Sequence, residues 1–248
     1  MRAFVRSSGA SALLFSRTVK AVRRDGLTLR ALLEQLHELI GRSAFLVTLG
    51  MAFFGTVIVT IAYAQARKYT GNITLVGPAY FELMVREFGP LTVALLLASR
   101  AGASASAEQA SMSVNEQIDA LTLSGIDPLA YLVAPRVLAC AIGLPLLTVL
   151  GTVAASLGAA LTVTHSFGAD GRSFIDPQFV DSGDVMCAGV KAVLCGLYIP
   201  LAASARAITA QGGAQAVGRA VTTGVVEACM GCLVIDFVVA AAFWGITR

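Results

Sequence analysis

Residues 43–66, 79–107, 129–163, 185–205 and 220–245 form five apolar stretches. Each has the ~20 residues that a helix rising ~1.5 Å per residue needs to cross a ~30 Å hydrocarbon core. A backbone in lipid finds no water to satisfy its N–H and C=O groups, so such stretches must form helices. Charged residues make up only 13% of the sequence and hydrophobic ones 56%, whereas soluble domains carry about a quarter charged residues. The expected fold is an all-α polytopic membrane protein with about five transmembrane helices.

Orientation comes from the residues before the first stretch. Positions 1–42 hold eight cations, Arg2, Arg6, Arg17, Lys20, Arg23, Arg24, Arg30 and Arg42, against Asp25, Glu34 and Glu38. This excess predicts a cytoplasmic N-terminus beside an anionic leaflet, and five spans then place the C-terminus outside. The apolar piece Ala10–Phe15 is too short for the core of a cleavable signal. Over 27–42, Leu29, Leu32, Leu33, Leu36, Leu39 and Ile40 share one helical face while Arg30, Glu34, His37 and Glu38 point elsewhere. That pattern predicts an amphipathic interfacial helix. The chain divides into a basic, interfacial segment, 1–42, and a single transmembrane domain, 43–248.

Within that domain, Ala94, Ala98, Gly102, Ser106 and Ala110 recur every four residues, and Gly151, Ala155 and Ala159 repeat the pattern. Such stripes let another helix approach closely, inside the chain or across a subunit interface. A short polar helix is predicted over 113–124, with Ser113 and Glu116 as a capping box, Val114, Ile118 and Leu121 as an apolar strip, and Gly125 as its stop. Asp127-Pro128 starts the next helix. Pro135 and Pro145 predict local adjustments in the third span. Residues 165–184, carrying Asp170, Asp176, Asp181 and Asp184, form the exterior loop, and 206–219 a Gly-rich cytoplasmic loop.

The motifs restrict the chemistry. None of the three lysines, Lys20, Lys68 and Lys191, sits in a Walker A pattern, so nucleotide energy must come from a partner. A proton-driven carrier would use Glu87, Glu108, Glu227 or Asp236; their other reading is as structural ions paired with cations. Ser104 with His165 as a hydrolase pair is disfavoured, because the two fall at opposite membrane faces. The five cysteines, Cys140, Cys187, Cys195, Cys229 and Cys232, all lie in apolar segments and read as buried thiols. Metal binding is unsupported, with only His37 and His165 to join them, and no basic domain suits nucleic acid.

The most specific stretch lies between Arg86 and Arg136. It contains R-E-F-G-P (86–90), S-R-A-G (99–102), A-E (107–108), M-S-V-N-E-Q-I-D-A-L (112–121), G-I-D-P (125–128) and A-P-R (134–136). With Gly218-Arg219-Ala220, Val221-Thr222-Thr223 and Ile235-Asp236-Phe237, these runs resemble the MlaE/YrbE permease family over about 45–246. The resemblance implies the permease subunit of an ABC-type lipid transporter in the bacterial inner membrane, catalytically silent and without a cofactor of its own. ATP and Mg would be used by cytoplasmic ATPase subunits. The other implied partners are a second copy of the chain in a homodimer, a periplasmic MCE-domain protein and often a STAS-domain protein. The cargo would be phospholipid moved between inner and outer membranes, which bears on outer-membrane lipid asymmetry. The resemblance further implies a lipid pathway at Arg86, Glu87 and Phe88. It also implies an ATPase coupling helix with Glu116, Gln117 and Asp119 as polar contacts and Val114, Ile118 and Leu121 on its apolar strip. The competing reading is a non-transporting membrane scaffold that anchors the ATPase and MCE partners.

Overall fold

The computed structural model describes residues 29–69, 76–168, 170–176, 178 and 180–246, with Leu14, Ser16–Thr18 and Lys20. The expected basic residues Arg2, Arg6, Arg23 and Arg24, the start of the amphipathic pattern at Leu27 and Thr28, and the connection 70–75 lie outside the described residues. Among the described residues only helices and turns occur. They are α1 (Leu29–Tyr69), α2 (Val76–Leu83), a π-turn (Met84–Phe88), α3 (Gly89–Leu97), a π-turn (Ala98–Gly102), α4 (Ala103–Val114) and α5 (Gln117–Leu123). After them come a π-turn (Leu129–Val133), α6 (Ala134–Thr162), a π-turn (Val163–Phe167), a 3-10 turn (Gly171–Phe174), α7 (Ser182–Ala207) and α8 (Gly213–Ile246).

Leu29–Tyr69, Leu129–Phe167, Ser182–Ala207 and Gly213–Gly245 are each long and apolar enough to cross a membrane. The remaining apolar stretch, 79–107, is not one regular helix. It is carried by α2, α3 and α4, joined end to end through two π-turns from Val76 to Val114. The chain is thus an all-α, multi-pass membrane protein.

Several boundaries differ from the sequence expectation. The interfacial segment and the first span are not separate, because α1 runs unbroken through Gly41-Arg42 for 41 residues. No proline interrupts it, and one glycine in a helix costs only about 1 kcal/mol. The loop at 206–219 is also shorter than expected. Residues 213–219 already belong to α8, since Ala214-Gln215-Ala216 are helix formers, and only 208–212 connect the helices.

Close helix approach makes the core. α1 packs along α6, where a Cβ added to Gly55 would collide with the Ala155 carbonyl and one on Gly158 would lie 2.6 Å from the Ala52 oxygen. Both stripes of small residues are used inside the chain. Ala94, Ala98, Ser106 and Ala110 are fully buried, with Ser106 beside Gly224 of α8. Phe45, Phe53, Val57 and Ile61 of α1 instead point outward, as a helix facing hydrocarbon requires. Four of the five cysteines are buried and all are free thiols, as their segments predicted.

Gly55→Ala should therefore cost about 1–3 kcal/mol, because the clash is with backbone that cannot rotate away. Gly41→Ala, with nothing within 4 Å of its added carbon, should be neutral or stabilise by up to about 1 kcal/mol. SDS-titrated unfolding of the purified protein in bicelles compares the two.

Candidate functional site

Proline chemistry shapes the centre of the bundle. Pro90 has no N–H, so the Arg86 carbonyl four residues earlier loses its helical donor. The turn widens instead: the Gly89 N–H donates to the Met84 carbonyl five residues back, making the π-turn Met84–Phe88. Position 89 has room only for glycine, because a Cβ there would lie 2.5 Å from Thr152 Oγ1 and 2.6 Å from the Met84 oxygen. The orphaned Arg86 carbonyl accepts a hydrogen bond from Lys191 Nζ at 3.4 Å.

Lys191 is the hub of a charge cluster. Its side chain is 1% exposed; it bonds Glu87 and sits 2.9 Å from Asp236 Oδ1. Arg86 lies 3.6 Å from Glu87 Oε1 and 3.4 Å from Asp184 Oδ1. Two cations thus meet three carboxylates drawn from the π-turn, α7 and α8. Asp184 also builds its own helix: its Oδ2 accepts the Asp181 N–H at 3.1 Å, closing a capping box at the start of α7. Ions this deep persist only when paired.

An apolar cavity of about 400 Å³ is lined by the chain neighbours of three cluster residues, Val85, Val185 and Ala192, and not by the charged side chains themselves. Phe81 and Val85 line it from the chain just before Arg86, Val149 and Val153 from α6, and Ala188 and Ala192 from α7 beside Lys191. Thr148 also reaches the wall, but its hydroxyl is turned back onto the Leu144 carbonyl at 2.8 Å. The volume is that of a small-ligand pocket.

Arg86 and Glu87 both belong to this cluster, whereas Phe88 stands apart. Its ring stands edge-on to Phe54 of α1 at 5.8 Å, packed against the core. Lys191 and Asp184 are the partners that sequence reasoning did not join to Arg86 and Glu87. The signal was present, because positions seven apart share a helical face.

The polar helix also departs from expectation. Ser113 is no N-cap: it lies within α4, and its hydroxyl donates to the carbonyls of Ile208 at 2.9 Å and Ala210 at 3.0 Å. Glu116 makes no capping box; it sits in a left-handed turn at φ 58° before α5, without a side-chain cap. The predicted stop holds, as Gly125 at φ +76° donates to the Thr122 carbonyl and Ile126 to that of Leu121, a Schellman ending. Asp127 Oδ1 then accepts the Leu129 N–H at 2.9 Å. The apolar strip faces the bundle: Ile118 is buried with Leu132, Val133, Val137 and Leu201, Leu121 packs on that cluster, and Val114 packs on Ala110 and Ala207. Glu116, Gln117 and Asp119 are exposed. So is Leu123, at 90%, an outward apolar contact absent from the predicted strip.

The other two acids considered for a proton path, Glu108 and Glu227, are paired as well. Glu108 meets Arg136 at 2.6 Å and Glu227 meets Arg206 at 3.0 Å, which favours the structural-ion reading over a proton path. Ser104 lines a cleft with Arg136 and Cys140 at the start of α6, whereas His165 follows its last turn, so the two do not meet. Among the described residues no group of His, Cys, Asp and Glu could hold a metal.

A family model described as "Permease MlaE" matches residues 32–242. A probable ABC transporter permease protein of Synechocystis sp. is 31% identical over 84% of this chain and 80% of its own length. One from Rickettsia felis is 29% identical over 97% and 93%. The chloroplast protein trigalactosyldiacylglycerol 1 of Arabidopsis thaliana is 27% identical over 94% of this chain and 67% of its own.

Removing the hub cation leaves two partly buried carboxylates without it. Lys191→Met should cost about 3–5 kcal/mol, and adding Glu87→Gln with Asp236→Asn should recover most of that loss. Unfolding curves of the single and triple variants test this.

Proposed function

Because the chain belongs to the MlaE permease family, and so serves as the membrane permease of an ABC transporter driven by ATPase partners, we propose that its cargo is a phospholipid or related lipid moved between inner and outer membrane. The observation that carries this reading is the juxtaposition of the five-residue charge cluster with the apolar cavity. An amphiphile has the same two parts, a charged headgroup and an acyl chain. Arg86 holds Glu87 and Asp184 only at 3.6 and 3.4 Å. A phosphate oxygen would bind its guanidinium more closely, at ~2.8 Å. The Arabidopsis relative is itself named for a lipid, which agrees.

At the other end of the same chain segment, α5 is the coupling helix. Glu116, Gln117, Asp119 and the exposed Leu123 present its outward surface to the ATPase, while Ile118 and Leu121 anchor it to the bundle. The chain performs no catalysis; ATP and Mg are bound by the ATPase. The working unit is a homodimer of one transmembrane permease domain, with an MCE-domain protein on the periplasmic side and, in some systems, a STAS-domain protein. It lies in the inner membrane, with the N-terminus cytoplasmic and the C-terminus periplasmic.

Two variants of the reconstituted complex test the reading. Glu87→Lys should cut lipid transfer by about tenfold or more, the equivalent of ~1.4 kcal/mol, with subunit assembly intact. Wild-type transfer in that variant would remove Glu87 from the pathway. Glu116→Lys combined with Asp119→Lys should leave lipid bound but uncouple ATP hydrolysis from its movement; unchanged coupling would reassign the ATPase contact. A purified dimer that carries no lipid by mass spectrometry would favour the scaffold.

A further inference from the structure

A second cluster of cations lies at the end of the bundle that carries α5. Arg42 of α1, Arg100 of the second π-turn and Arg136 of α6 line one cleft of about 70 Å³, open to solvent, with Glu38 and Glu108 as its carboxylates. The cations outnumber the acids, and their pairing is incomplete. Arg136 is only 11% exposed; its Nη2 holds Glu108 at 2.6 Å, while its Nη1 is buried without a hydrogen-bond partner. A buried, unsatisfied guanidinium nitrogen costs on the order of a lost charged hydrogen bond, so the site is incomplete as it stands. Arg100 donates from Nη1 to Ser43 Oγ at 2.6 Å, which aims its fork along α1. Among the described residues Arg42 pairs with Glu38, both half-exposed or more, and such a pair is weak.

We propose that this cleft binds a phosphate group. Three guanidinium groups line this one opening, and their planar forks suit the bidentate geometry of phosphate oxygens. An anion there would take the free Nη1 of Arg136 and compete with Glu38 for Arg42. The carrier is an amphiphile of the adjacent leaflet or a soluble phosphate. The cleft borders membrane-facing surface, because Phe45, Leu46 and Leu49 follow Arg42 on α1 and are all exposed. This site is separate from the central cluster, being thirteen residues along the helical run from Glu87, or ~20 Å at helical rise.

The test uses the full chain in detergent, read by native mass spectrometry with phosphatidylglycerol, phosphatidylcholine or inorganic phosphate added. Arg42→Gln with Arg100→Gln should weaken retention of a phosphate-bearing ligand about tenfold or more. Glu38→Gln, which removes the competing carboxylate and leaves every cation in place, should tighten it about threefold or more. Arg30→Gln, which removes an exposed cation that does not line the cleft, should leave it unchanged, which separates a specific site from a general loss of positive charge. Lipid retention that follows this pattern assigns the amphiphile. Displacement by millimolar inorganic phosphate, with the same dependence on Arg42 and Arg100, assigns the soluble ion. Binding of all three probes indifferent to Arg42, Arg100 and Glu38 overturns the proposal.

Discussion

Pro90 brings no N–H to its helix, and the carbonyl left open at Arg86 is taken by Lys191 Nζ. Much of the centre depends on that substitution of a side chain for a backbone donor. It fixes the height of α7 against the π-turn and places the ammonium between Glu87 and Asp236, tying α8 to the same point. It also makes the lysine tolerable, since a cation that is 1% exposed needs several oxygens around it. A similar rule holds at the start of α6, where a π-turn over Leu129–Val133 ends two residues before Pro135, as the first ends two before Pro90. In both places a deleted amide hydrogen shifts the helical register, and the wider turn absorbs the change.

What could be read from the sequence were the features set by composition and local chemistry. Apolar length gave the spans, Gly125 gave the end of α5, and Asp127-Pro128 gave the next start, because each depends on a few adjacent residues. Non-local competition defeated the rest. Ser113 and Glu116 match a capping box as letters, but the Ser113 hydroxyl is claimed by carbonyls nearly a hundred residues away. The box that does form uses Asp181 and Asp184, a pairing outside the usual Ser/Thr–Glu/Gln pattern. The strip Val114–Ile118–Leu121 showed that one face is buried, and only the fold reveals that it is buried against this chain. Arg86 and Glu87 stood out as costly charges, yet their partners, on α7 and α8, needed the tertiary structure to be identified.

The bundle carries its polar residues in two layers along one helical run. The central layer is balanced almost entirely by internal pairs and borders an apolar cavity; the layer near α5 is richer in arginine and opens to solvent. Between them lies α3, where Val93, Ala94 and Leu97 are buried in the core. Two of the four π-turns among the described residues, Met84–Phe88 and Ala98–Gly102, carry charges of these layers, while Leu129–Val133 packs in an apolar cluster.

The Ser113 hydroxyl has one proton and two acceptors, the carbonyls of Ile208 and Ala210, at nearly equal distance. A three-centre bond of this kind shares one O–H between both carbonyls, so the end of α4 is tied to the turn between α7 and α8 at two peptides rather than one. Replacing that single hydroxyl would leave two carbonyls to find new donors.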